Sequence, residues 1–317
     1  MEAVATPFGV ESPAYVAVRV LQYVAFSLWT GSVSASLSWM RHSMTGGETA
    51  SGVSRASLQR LLRVGLLLLL VSLVLRLWAQ AHAFDDTTLW PQPVMVTTML
   101  RKMLWGRAWL LEAVALSVGA LVAWSLRKDS SSHGACRTAA GVTLVLALSF
   151  ALSGHAASSA TLQPLAIIAG ALHATAAGVW VGGLVVLAVL LLPASRRIAE
   201  PMRGDVVANA ISRFSVVALA AVALIVSTGA FAAWLHVGSV HALFDTDYGR
   251  TLGIKLLVLT PMLLAGLVNL RRIRPRLRTE QQVAGRFAWA VRVELAFGLL
   301  VLLLTAILVA TPTPAEG

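Results

Sequence analysis

The stretch from Leu162 to Ser195 reads LQPLAIIAGALHATAAGVWVGGLVVLAVLLLPAS and contains no Asp, Glu, Lys or Arg. A hydrocarbon core of about 30 Å takes about 20 apolar residues in a helix, so this stretch predicts a membrane-spanning helix. Its one titratable side chain is His173. Counting back about 20 residues from Pro193, at about 1.5 Å per residue, puts the imidazole between the outer boundary of the hydrocarbon and its midplane. A titratable group at that depth is kept either for a function or for a hydrogen bond to a neighbouring helix.

The rest of the chain has the same character. Of its 317 residues 57% are hydrophobic and 12% charged, and the mean hydropathy is +0.78, which is outside the soluble range. The net charge of +11 and the pI near 11.3 report cytoplasmic loops of a membrane protein, not nucleic-acid binding. A single cysteine, Cys136, excludes an intramolecular disulfide and a thiolate-clustered metal site. The acidic start before Ser12 and the long apolar run from Pro13 to Met40 read as a retained first helix, not a cleaved leader. No P-loop, His-Glu-x-x-His sequence, nucleophile elbow or kinase signature occurs, so the expectation is a non-enzyme with no ATP-driven step of its own.

Apolar spans at 14–40, 58–80, 105–126, 136–153, 164–192, 207–235, 251–270 and 287–310 predict an all-α integral membrane protein of eight transmembrane helices, one membrane domain over residues 1–317. Between helices 2 and 3, Pro93 to Leu104 is too short and polar to span and reads as an interfacial helix. Basic residues fall into alternate loops: Arg41, Arg55, Arg60 and Arg63; Arg127, Lys128 and Arg137; Arg196, Arg197, Arg203 and Arg213; and the run from Arg271 to Arg286. The positive-inside rule makes these loops cytoplasmic and puts both termini outside.

Two halves can be laid on one another. Leu21-Gln22 followed by Trp29-Thr30-Gly31 matches Leu172-His173 followed by Trp180-Val181-Gly182, and Trp105-Gly106-Arg107 with Glu112 matches Tyr248-Gly249-Arg250 with Lys255. The expectation is a 4+4 parallel internal repeat, residues 1–155 and 156–317, with substrate between the halves. His173 then stands where the first half has Gln22, and Lys255 where it has Glu112. Glu112 and Lys255 are expected to face each other, with Arg19 and Arg76 as rival partners at similar depth. Glu294, deep in helix 8 with Asn269 near it, is a second carboxylate that could carry a proton.

Five of the seven histidines gather toward the outer side: His82, His155, His173, His236 and His241. Imidazole is the commonest side-chain metal ligand and suits copper, zinc, iron and nickel. Met95, Met99 and Met103 recur every fourth residue of the interfacial segment; such a stripe is either adaptable packing or a set of soft Cu(I) donors. Metal candidates are therefore His173, His155, His82, His236, Met95, Met99 and Met103, with Met40, His42 and Met44 as a cytoplasmic exit. Glu112, Lys255, Glu294 and Arg76 are the ion-pair or proton-linked candidates.

Leu172-His173 with Trp180-Val181-Gly182-Gly183, the turn Ser153-Gly154-His155-Ala156-Ala157, and Thr246-Asp247-Tyr248-Gly249-Arg250 running on to Lys255 resemble the copper resistance protein D family. The likeness is clearest over helices 4 to 8. It implies a bacterial inner-membrane protein that handles periplasmic copper, as Cu(I) or Cu(II), and moves it toward the cytoplasm. It also implies a soluble periplasmic copper carrier of the CopC type, here on a separate chain, as partner. By position, His173 and His155 match family histidines. Two other classes compete: a haem b, quinone-linked redox protein, which needs two histidines meeting across helices, and a copper-binding assembly partner that does not transport.

Overall fold

The computed structural model describes residues 12–43, 53–84, 91–129, 132–157, 162–198, 202–237, 239, 241–268, 271 and 281–314, the side chains of 39–43, 202–204, 206 and 281–286 excepted. Among them the regular structure is helical, with no strand. The helices are α1 (Pro13–Ser43), α2 (Arg55–Phe84), α3 (Pro93–Lys102), α4 (Leu104–Lys128), α5 (His133–Leu152), α6 (Gln163–Val185), α7 (Leu192–Ser195), α8 (Met202–Val237), α9 (Ala242–Asp245), α10 (Asp247–Val268) and α11 (Gln281–Ala310). A 3-10 turn, His155–Ala157, follows α5. A π-helical segment, Val186–Leu191, joins α6 to α7, so Gln163–Ser195 is one continuous span. Eight segments are long and apolar enough to cross a membrane, and they coincide with the eight expected from the sequence.

Local chemistry explains the boundaries. Pro93 opens α3, where a missing backbone N–H costs nothing. Met103, extended at φ −93° and ψ 143°, then bends the chain into α4. The bend folds α3 against α4 so closely that a Cβ on Gly106 would lie 2.3 Å from the Met99 carbonyl oxygen. Ser132 caps α5 by accepting a hydrogen bond from the Ala135 amide at 3.3 Å.

The centre of the bundle is the α1–α6 pair. Helix α1 also packs on α2, α5 and α11, and α6 on α5, α8 and α11. Helix–helix packing in lipid relies on close approach of small residues, and here Gly31 and Gly182 meet backbone to backbone. A Cβ on Gly31 would lie 2.3 Å from the Gly182 carbonyl carbon, and one on Gly182 would lie 2.0 Å from the Ser27 carbonyl oxygen. Buried apolar clusters form on each side, one around Trp29 and one around Trp180. Trp29 Nε1 donates to Thr143 Oγ1 at 3.0 Å and fastens α1 to α5. The outer helices are the least buried: α8 packs on α6, and α10 on α11 and α9. Their exposed Val216, Leu219, Leu257 and Leu264 suit a lipid environment.

Candidate metal centre

His155 begins the 3-10 turn after α5, and His236 lies in the last turn of α8. The fold brings them together: their ring centroids are 6.2 Å apart with 59° between the planes. Tyr248, in the first turn of α10, meets His155 edge-on at 6.0 Å. His236 and Tyr248 are buried and His155 is half-buried. With metal–nitrogen bonds of about 2.0 Å, two imidazoles opposed across one ion have centroids roughly 6 Å apart. A two-imidazole site for a soft or borderline cation is therefore within reach of this geometry.

Deeper in the bundle, His173 Nδ1 lies 3.0 Å from Thr228 Oγ1 of α8. The Thr228 hydroxyl donates to the Leu224 carbonyl, so toward the imidazole it acts as acceptor. That assigns the proton to Nδ1 and the lone pair to Nε2, and the ring is also hydrogen-bonded to the Ile225 backbone. The same division of labour is usual in metal-binding histidines. Gly229 makes room for the ring, since a Cβ there would sit 3.4 Å from His173 Cε1. Lys255 of α10 lies within electrostatic reach of His173. Thr228 is about 12 Å below His236 along α8, and Lys255 about 10 Å below Tyr248 along α10, at about 1.5 Å per residue. Two polar levels thus follow the same two helices.

Glu112 does not meet Lys255. Its Oε2 lies 2.6 Å from Arg76 Nη1, and its Oε1 accepts from Gln22 Nε2 at 2.8 Å. The three residues are at most 1% exposed. Helix α4 packs on α2, so the nearer Arg76 takes the carboxylate. Arg76 Nη2 also donates to Ser153 Oγ at 3.2 Å, and Arg19 Nη2 to the Ser153 carbonyl at 3.4 Å. Tyr15 Oη accepts from Arg19 at 3.3 Å and donates to Gln80 Oε1 at 2.8 Å. Two guanidiniums therefore hold the residue that leads into the His155 turn.

The other candidates are dispersed. His82 is buried at the end of α2, its Nδ1 3.0 Å from the Trp78 carbonyl and its ring 4.2 Å from the Trp78 ring. The methionine stripe is broken: Met99 is buried, Met95 half-buried, and Met103, exposed, has left the helix. Glu294 is buried in α11, while Arg292 is exposed. His241 pairs with Asp245 at the surface. Met40 and His42 lie in α1 with side chains outside the described residues, and Met44 and Asn269 lie outside them altogether. Among the described residues, no three His, Cys, Asp or Glu side chains gather as a metal cluster.

Thr228, as partner of His173, was not foreseen, because a threonine in an apolar helix usually bonds only its own backbone. Tyr248 had a signal: in the repeat expected from the sequence it is laid on Trp105.

The family model for copper resistance protein D matches residues 208–308, and that for the copper resistance protein D-like N-terminal domain matches residues 10–164. Copper resistance protein D of Pseudomonas syringae pv. tomato is 30% identical over 290 residues, 89% of each chain. The chain belongs to the copper resistance protein D family. A second relative of this family member, copper transport protein CutJ of Bacillus subtilis (strain 168), is 29% identical over 309 residues, 96% of this chain. The chain spans only 54% of the length of that relative. No solved structure matches this copper resistance protein D family chain.

Proposed function

We propose that this protein carries copper across the bacterial inner membrane, taking it up at His155 and His236 on the periplasmic side and passing it inward by way of His173. The observation that carries the reading is the meeting of His155 and His236, from different helices, with centroids 6.2 Å apart. The names of the relatives, a copper transport protein and a copper resistance protein, point the same way. Both termini are periplasmic in this reading, by the loop charges, and a soluble carrier of the CopC type delivers the ion. Met95 and Met103 supply soft donors on the approach, which favours Cu(I).

His173 acts as a transit ligand. Its Nε2 carries the lone pair, but Lys255 nearby repels a bound cation, and a site on a conduction path must release what it binds. The 4+4 repeat gives the frame for movement. Gly31 and Gly182, matched positions, touch one another, as residues beside a two-fold axis do. Gly106 and Gly249 each press on the short helix before them, at Met99–Leu100 and at Ala242–Leu243. Gln22 with Arg76 and Glu112 corresponds to His173 with Thr228 and Lys255. On this reading the first half is tied shut by its ion pair, the second holds the path, and the halves rock about the α1–α6 contact.

The test is Cu(I) affinity of the purified protein measured by competition with a chromophoric chelator. His155→Ala and His236→Ala are each expected to weaken binding at least tenfold, and the double variant to be little worse than either single one, because one ligand alone does not hold the ion. Unchanged affinity in both single variants contradicts the site. The same ring spacing would also suit two axial ligands of a haem iron. A Soret band at one haem per chain replaces copper transport by redox chemistry; bound copper without that band retains it.

A further inference from the structure

Helices α1 and α8 both pack on α6, and between them, at the level of the π-helical segment, they leave a partly open cleft. Its volume is about 60 Å³. One water-sized group takes roughly 10–15 Å³, so the cleft holds about four to six such groups, room for a stretch of one alkyl chain and not for a fused ring system. The walls are apolar for most of their extent, with Leu187 and Leu191 of the π-helical segment facing Phe214 and Val217 of α8 across the space. Gly183 lets the Phe214 ring lie against the α6 backbone: a Cβ there would fall 2.3 Å from Phe214 Cε2. Space lined in this way favours an apolar guest over water.

The lining also holds one charged side chain, Arg213 of α8, which is half-buried. A guanidinium keeps its charge and presents a planar set of donors that matches a phosphate. Among the described residues Arg213 has no ion-pair partner. Arg196 and Arg197, both exposed, follow Leu191 by five and six residues and add positive charge at the same end of the span. By the loop charges this end faces the cytoplasm, and that leaflet carries anionic headgroups. Val216, beside Val217, is exposed, so the cleft borders the lipid. A slot one alkyl chain wide next to a guanidinium specifies an amphiphile with an acyl tail and an anionic phosphate head. A zwitterionic lipid fits less well, because its own cation is repelled by the same arginines.

We propose that the cleft binds one anionic phospholipid of the inner leaflet, with an acyl chain between α1 and α8 and the phosphate on Arg213. The lipid fills the gap those two helices leave, and the site does not depend on how copper is handled.

Native mass spectrometry of the full chain tests this, with the protein released from micelles that hold equal amounts of phosphatidylglycerol and phosphatidylcholine. The expected result is one retained lipid per chain, with phosphatidylglycerol favoured at least fivefold. Arg213→Gln is expected to retain the two lipids equally, while Arg250→Gln, exposed at the start of α10, keeps the preference. Ala210 also lines the cleft. Ala210→Leu keeps every charge and narrows the space, and it is expected to cut retained phosphatidylglycerol at least fivefold; Arg213→Gln gives a reading even if this variant does not fold. No retained lipid in the wild type, equal retention of the two lipids, or an unchanged preference in Arg213→Gln overturns the proposal. Full retention by Ala210→Leu overturns it as well, since the lipid then sits on the basic surface and not in the cleft.

Discussion

Glu112→Gln is expected to lower the stability of the folded protein by about 3–5 kcal/mol, the range seen when one partner of a buried ion pair is removed. The carboxylate is 1% exposed and receives Arg76 at 2.6 Å and Gln22 at 2.8 Å. The amide keeps the shape but not the charge, so the buried Arg76 guanidinium loses the anion it is paired with. The same bonds tie α1, α2 and α4 together, and through Arg76 they reach Ser153 and the turn of His155. The loss should therefore appear both as an earlier unfolding midpoint in mixed detergent and as a weaker outer metal site. Asp245→Asn, which breaks an exposed pair with His241, should change stability by less than about 1 kcal/mol. If Glu112→Gln unfolds with the wild type, the pair is not what ties α1, α2 and α4 together.

Gly182→Ala is the second large effect. The new Cβ would stand 2.0 Å from the Ser27 carbonyl oxygen and 2.8 Å from Gly31 Cα, and both are backbone atoms that cannot turn aside. Relief requires α1 and α6 to separate along the central contact of the bundle. Overpacking alone costs about 1–3 kcal/mol, and parting the helices also removes interhelical packing, which has no hydrophobic substitute in lipid. Gly31→Ala should behave alike, its Cβ falling 2.3 Å from the Gly182 carbonyl carbon. Gly253→Ala is the control: nothing lies within 4 Å of its Cβ, so the helix should gain up to about 1 kcal/mol from the better helix former. A Gly182→Ala midpoint equal to that of Gly253→Ala would mean that the contact gives way freely.

The eight spans were legible because hydrocarbon imposes length and apolarity, both of which are one-dimensional properties, and the segment between the second and third is too short and polar to be one of them. The approach of His155 to His236 was only half legible. Each was marked by its place at the outer end of a helix, but their meeting depends on how α5 and α8 lean on α6. Glu112 was recognised as a residue needing a partner, and the expected Lys255 was displaced by Arg76 because α4 packs directly on α2. Spacing alone suggested a stripe of Met95, Met99 and Met103; the extended backbone at Met103 breaks it, for reasons of three-dimensional docking on Gly106. Thr228 gave no signal, since only its position across from His173 distinguishes it from other helical threonines.

The central claim is that copper crosses the bilayer by way of His173. It is tested most directly by copper uptake into sealed proteoliposomes, measured beside copper bound to the same protein in detergent. The account predicts that His173→Ala reduces the uptake rate at least tenfold while copper still binds at His155 and His236. Uptake at the wild-type rate in His173→Ala would contradict it, and binding with no uptake by the wild type would leave a copper receiver that does not transport.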